Sequence, residues 1–125
     1  MSYESIIYDE NLKEHSFGDW EGLTAAEIKR WFPGELEKRE HNKWDYVVPN
    51  GESYALIKKR LEGFLCSCNT ENMILFTHET ASKVIRGILL NLSKEDILSL
   101  DHKQNVIYKI ENFNLKNKKC NKINI

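Results

Sequence analysis

Met73, Ile74, Leu75 and Phe76 form an unbroken apolar run, preceded by the polar residues Thr70, Glu71 and Asn72 and followed by Thr77 and His78. A short apolar run closed off by turn residues predicts a buried strand. Directly afterwards Val84, Ile85, Ile88 and Leu89 recur at helical spacing. The segment from Met73 to Gly87 therefore reads as strand, tight polar turn and helix, and the rest of the chain is organised around it. Upstream, Ile57, Leu61, Phe64 and Leu65 stand at i, i+4, i+7 and i+8, one apolar face of a helix whose N-cap is Ser53.

The remaining patterns are shorter. Ile6, Ile7 and Tyr8 predict a brief strand, Asp9-Glu10-Asn11 a turn, and 12–17 a second extended stretch. Gly18 and Gly22 flank Trp20, which predicts unusual backbone dihedrals around a large buried ring. Thr24 to Glu27 is a capping box that opens a helix carrying Ile28, Trp31 and Phe32, and Pro33-Gly34 stops it. The charge-dense stretch from Glu35 to Trp44 predicts a solvated helix. Tyr46 to Gly51 is a loop. Ser93 to Asp96 opens a short helix holding Ile97, Leu98 and Leu100, and 105–111 is β-rich. The predicted order is β-α-α-α-β-α-α-β, which indicates an α/β domain. Two convincing strands, 73–76 and 105–111, are too few for a self-sufficient sheet.

Composition narrows the functional classes. At 125 residues the chain is one domain, with 41% hydrophobic and 30% charged residues. A net charge of -1 leaves no electrostatic footprint for nucleic acid or an anionic membrane. No apolar run is long enough for a membrane span. The cysteines are Cys66, Cys68 and Cys120, and without a secretion signal they read as reduced thiols of a cytoplasmic protein. No second Cys or His pair stands at ligand spacing, so no metal and no cofactor is expected. Chemistry is expected at the turn after 73–76. Ligands of α/β sheets bind at the carboxyl ends of strands, and a helix N-terminus there favours an anion. A histidine at that junction, here His78, can donate to a phosphate.

Three local patterns then line up. Leu12-x-Glu14-x-x-Phe17-Gly18-x-Trp20-Glu21-Gly22 precedes a helix, Gly51-Glu52-Ser53 opens another that contains Arg60, and Phe76-Thr77-His78 opens a third. In this order and at this spacing the set resembles the histidine phosphatase superfamily, the phosphoglycerate-mutase-like proteins, from about Asp9 to Asn112. The resemblance implies phosphoryl transfer through a histidine nucleophile held in an Arg-His-Gly motif. It further implies two arginines that clamp phosphate oxygens, a second histidine that donates to the phosphoryl group, and a glutamate that protonates the leaving oxygen. Glu14 matches that glutamate and His78 the second histidine. Glu52 and Ser53 match a supporting turn, and Gly18 and Trp20 match framework positions.

Two departures matter. No Arg-His-Gly occurs in the 125 residues, and Arg30, Arg39, Arg60 and Arg86 fall where the pattern has no clamp. Glu79 stands where the family usually has glycine, and a carboxylate there repels a phosphate. Lys83 could pair with Glu79 but is expected to be simply solvent-exposed. The insert between Trp20 and Gly51 carries Trp31, Trp44 and Tyr46, suggesting a modest apolar lid and the phosphatase branch.

The resemblance thus implies a truncated three-layer α/β/α phosphoglycerate-mutase-like fold with an incomplete sheet, a single domain over 1–125 with 113–125 as a frayed tail. Its implied catalytic residues are Glu14 and His78, and its phosphate-binding residues His78 and Glu79. The expected function is that of a histidine phosphatase fragment, a pseudoenzyme on its own, with a small phosphorylated molecule as ligand. The alternatives are the C-terminal half of a split phosphatase completed by an N-terminal partner chain, or a non-catalytic anion- or protein-binding module. Homo-oligomerisation through an exposed sheet edge is a further partner expectation; nucleic acid and membranes are not.

Overall fold

A computed structural model describes residues 5–68 and 72–111. Among the described residues five α-helices carry the fold: α1 (Ala25–Trp31), α2 (Glu35–His41), α3 (Tyr54–Ser67), α4 (Glu79–Leu89) and α5 (Lys94–Ser99). Two single 3-10 turns, Glu10–Leu12 and Gly18–Trp20, precede them. The predicted caps are made. Thr24 Oγ1 accepts from the Glu27 amide at 3.2 Å, Ser53 Oγ from Leu56 at 3.2 Å and Ser93 Oγ from Asp96 at 3.1 Å. Each such cap stabilises its helix by about 1 kcal/mol.

The main core is the seam between α3 and α4. Ile57, Leu61 and Leu65 meet Ala81, Val84 and Ile88, and Ile97 of α5 closes one end. Gly87 makes that closure possible, because a Cβ built on it would lie 2.3 Å from Ile97 Cγ1. A second, smaller core holds Trp20, Ile28 and Val48, with Leu23, Phe32, Leu36 and Tyr46 packed around it. The two are joined where 16–19 runs backbone to backbone against 48–52. The Asp19 amide donates to the Pro49 carbonyl and the Glu52 amide to the Ser16 carbonyl, each at 2.9 Å. Gly18, at φ +47°, has no room for a side chain: a Cβ would sit 2.2 Å from the Pro49 oxygen.

The three predicted strands do not form as strands. The stretches 6–8, 73–76 and 106–110 contain no ladder, and among the described residues there is no sheet. A strand exists only through pairing, and among the described residues these segments have no neighbour to pair with. Leu75 packs on the main core, yet Ile74 and Phe76 on either side of it are 75% and 87% exposed. Ile107 is likewise exposed. The expected solvated helix at 35–44 ends at His41. Beyond it Trp44 stacks on Tyr54 at 6.0 Å and Tyr46 on Trp20 at 5.7 Å, while Trp31 points into solvent. The three aromatics are thus shared between the two cores and the surface and make no common lid.

Cys68 is a free thiol, as expected. Cys120 and the tail at 113–125 lie outside the described residues. No helix among the described residues is long and apolar enough to cross a membrane.

Candidate functional site

The first turn of α4 has no cap of its own. His78 occupies the N-cap position with extended backbone, but its side chain makes no capping hydrogen bond. The second and third amides of such a helix need an acceptor. Glu14, 66 residues earlier, supplies it: its carboxylate accepts from the Thr80 amide at 3.1 Å and the Ala81 amide at 3.2 Å. The same carboxylate accepts from the His15 amide at 2.9 Å. Thr77 Oγ1 ties the two segments together by donating to the Leu12 carbonyl at 2.6 Å. The fold therefore brings the two expected catalytic residues, Glu14 and His78, to one helix end.

Charge follows from this geometry. Burial pushes the Glu14 carboxyl up, but the three backbone N–H donors, with His78 close by, outweigh it and hold the group below the usual carboxylate range. Near neutral pH Glu14 is therefore a carboxylate. A phosphate dianion placed against it would favour its protonated form, which is the state a general acid needs. His78 and Glu79 are both solvent-exposed. The Glu79 side chain does not lean over the helix end; it pairs with Lys83 at 3.5 Å, one turn along α4. Lys83 is largely covered, 16% exposed in its side chain, rather than free in solvent as expected. The ion pair draws the carboxylate sideways and leaves the Glu79 amide at the first helical position.

Sequence reasoning missed what holds Glu14. The Arg60 guanidinium, two turns into α3, donates to the carbonyls of Asn11, Lys13 (2.9 Å) and Glu14 (3.2 Å). It also pairs with the Glu52 carboxylate at 2.8 Å. Glu52 in turn accepts from the Ser16 amide at 3.0 Å. Burial raises the Glu52 carboxyl, but the bonds from Arg60 and Ser16 outweigh it and keep it low. His15 is buried beneath this loop, stacked on Phe17 at 4.3 Å, with Nε2 on the Glu52 carbonyl at 2.9 Å. Burial, with Arg39 nearby, holds its imidazole below the ordinary histidine range. The signal was available in part: Glu52 precedes α3 and Arg60 stands two turns inside it, on the same face. Nothing local told that the shared target would be the backbone of 11–14. A shallow groove along α3 includes Asn11, Glu52 and Arg60 but reaches neither Glu14 nor His78.

Comparison with known proteins gives the family. Residues 2–125 match the description "Histidine phosphatase superfamily (branch 1)". The chain is 36% identical over 104 residues to "6-phosphofructo-2-kinase 1" of Saccharomyces cerevisiae, covering 80% of this chain and 13% of that protein. It is 29% identical over 86 residues to "Fructose-2,6-bisphosphatase" of the same yeast, covering 68% of this chain and 19% of the relative. With the human "6-phosphofructo-2-kinase/fructose-2,6-bisphosphatase 3" it shares 32% identity over 87 residues, 69% of this chain and 17% of the relative. The chain thus spans less than a fifth of the length of these relatives. The family implies an α/β fold, of which the described residues show the helices. With the ordered motifs and the Glu14–His78 helix end, the match over residues 2–125 establishes that this chain belongs to branch 1 of the histidine phosphatase superfamily.

Proposed function

We propose that this chain carries the acid/base half of a phosphomonoesterase site of the fructose-2,6-bisphosphatase kind, and that it does not turn over substrate by itself. The observation that carries the proposal is the Glu14 carboxylate on the Thr80 and Ala81 amides, beside His78. In this reading His78 donates to a phosphoryl oxygen, the Glu79 amide adds a second donor, and Glu14 hands a proton to the leaving oxygen. A sugar bisphosphate is the substrate class, taken from the names of the relatives. The reading of inactivity is supported by the 125 residues holding no Arg-His-Gly motif. Removing one charge-stabilising donor already costs about 10²–10³-fold in rate, and here the nucleophile is absent as well. The test is phosphate release from fructose 2,6-bisphosphate and from a generic phosphomonoester. No release above background is expected, together with chemical-shift changes at Thr80 and Ala81 when inorganic phosphate is added at millimolar concentration. Turnover that vanishes in His78→Ala would overturn the inactivity, and unchanged shifts would remove the anion site.

A second reading has its own observation. Ile74 and Phe76 flank the core-facing Leu75 yet are 75% and 87% exposed. Apolar residues on both faces of one extended segment are the signature of an interior strand of a sheet covered on both sides. A separately made N-terminal chain bearing the Arg-His-Gly strand would cover them and complete the site. Sedimentation as a stable, partner-free monomer would count against this reading.

A further inference from the structure

All three guanidinium nitrogens of Arg60 are engaged around one loop. Nε and one terminal nitrogen hold Glu52, at 2.8 and 3.2 Å. The terminal nitrogens also reach the carbonyls of Asn11, Lys13 and Glu14. Three carbonyls within four consecutive residues are thus gathered onto one cation whose side chain is only 13% exposed. Glu52, braced by that cation, grips the next link of the same loop through the Ser16 amide. The loop is pinned on both sides of Glu14, while the Glu14 side chain is left to reach the first turn of α4. Among the described residues the remaining polar contact of its carboxylate is the amide of its own neighbour His15.

We infer that Arg60 is a positioning residue, which through the carbonyls of 11–14 and through Glu52 sets the Glu14 carboxylate against the N-terminal amides of α4. The inference rests on the reading of Glu14 as the acid/base group. Arg60 touches neither a substrate position nor His78. It acts at one remove, by fixing the backbone from which Glu14 projects. A planar fork is needed for this, because five contacts spread over two carboxylate oxygens and three carbonyls cannot be met from one point. Lysine keeps the charge but presents three donors from a single nitrogen.

The experiment follows the Thr80 and Ala81 amide resonances of the intact chain through a pH titration, with Glu14→Gln identifying the Glu14 component. His78 and Glu79 also stand at this helix end, and their components are removed from the signal with His78→Ala and Glu79→Gln. In the wild type both amides should report a midpoint below that of an ordinary glutamate. In Arg60→Ala the midpoint should rise toward the ordinary value, and amide exchange at Thr80 and Ala81 should quicken about tenfold or more. Arg60→Lys should show the same direction of change, and it carries the test if the alanine variant does not fold. Lys58→Ala, which breaks an ion pair elsewhere on α3, should leave both readouts unchanged. A purely structural Arg60 would lower the melting temperature without moving the midpoint, so a folded Arg60 variant with the wild-type midpoint overturns the inference. A wild-type chain that ignores inorganic phosphate would instead undo the proposed function and leave the effect of Arg60 on Glu14 standing.

Discussion

The Glu14 carboxylate lies 3.1 Å from the amide nitrogen of Thr80, and so a residue near the start of the chain caps a helix through an amide 66 residues later. An N-cap side chain normally does this locally and contributes about 1 kcal/mol. Here the contact also closes a tertiary loop. Glu14→Ala should therefore destabilise the chain by about 1–3 kcal/mol, the range for leaving partly buried amides without their acceptor. Glu14→Gln, which keeps one acceptor oxygen, should cost less. Urea denaturation of the two variants beside the wild type measures both.

Acid should loosen the fold in two steps of the same sign. The His15 imidazole is held below its ordinary range by burial. As pH falls below about 6.5 the unfolded chain takes up a proton that the folded one refuses, and stability drops. Glu14 and Glu52 are held low as well. Their contribution is complete above the ordinary glutamate value of about 4.3 and is lost as pH falls through their folded values. Urea midpoints taken from pH 7.5 down to 3.5 should decline throughout. His15→Gln should remove the upper step and leave the lower one.

Two glycines should respond oppositely to alanine. Gly63 lies within α3 with nothing near the position a Cβ would take. Gly63→Ala should stabilise by about 0.5–1 kcal/mol through helix propensity. Gly87 faces Ile97, with the built Cβ 2.3 Å from Cγ1 and 2.4 Å from Cδ1. Gly87→Ala should destabilise by about 1–3 kcal/mol, because Ile97 is fully buried and its movement disturbs the core. Thermal melts of the single variants decide both signs.

The exposed apolar residues beside Leu75 should govern association rather than stability. Ile74→Thr with Phe76→Ser should change the unfolding free energy by no more than about 0.5 kcal/mol, as for other exposed sites. The double variant should bind less hydrophobic dye and sediment with less self-association than the wild type. A loss of stability of several kcal/mol would show that these side chains are covered in solution.

Much of the helical framework was legible because its signals are local. Thr24, Ser53 and Ser93 announce their helices through a hydroxyl and an amide three residues away, and each bond is present. The apolar spacings of α3 and α4 foretold the faces that the structure brings together in one seam. Gly18 and Gly22 flanking a buried Trp20 were foretold too, and both adopt positive φ. The strands were legible only as candidates, since 73–76 and 106–110 have strand composition but no ladder among the described residues.

The sequence by itself determined the family, through the order and spacing of Leu12-x-Glu14, Gly51-Glu52-Ser53 and Phe76-Thr77-His78. It also determined where helices begin, since capping and apolar periodicity act over three or four residues. Only the tertiary structure decided that Glu14 serves as the missing cap of α4, that Arg60 and Glu52 hold the loop which presents it, and that Lys83 turns Glu79 aside. The first two relations join residues brought together by packing α3 and α4 and folding 11–16 across them. The third joins neighbours on one helix, but a surface lysine has many partners within reach, and only the covered setting of Lys83 selects Glu79.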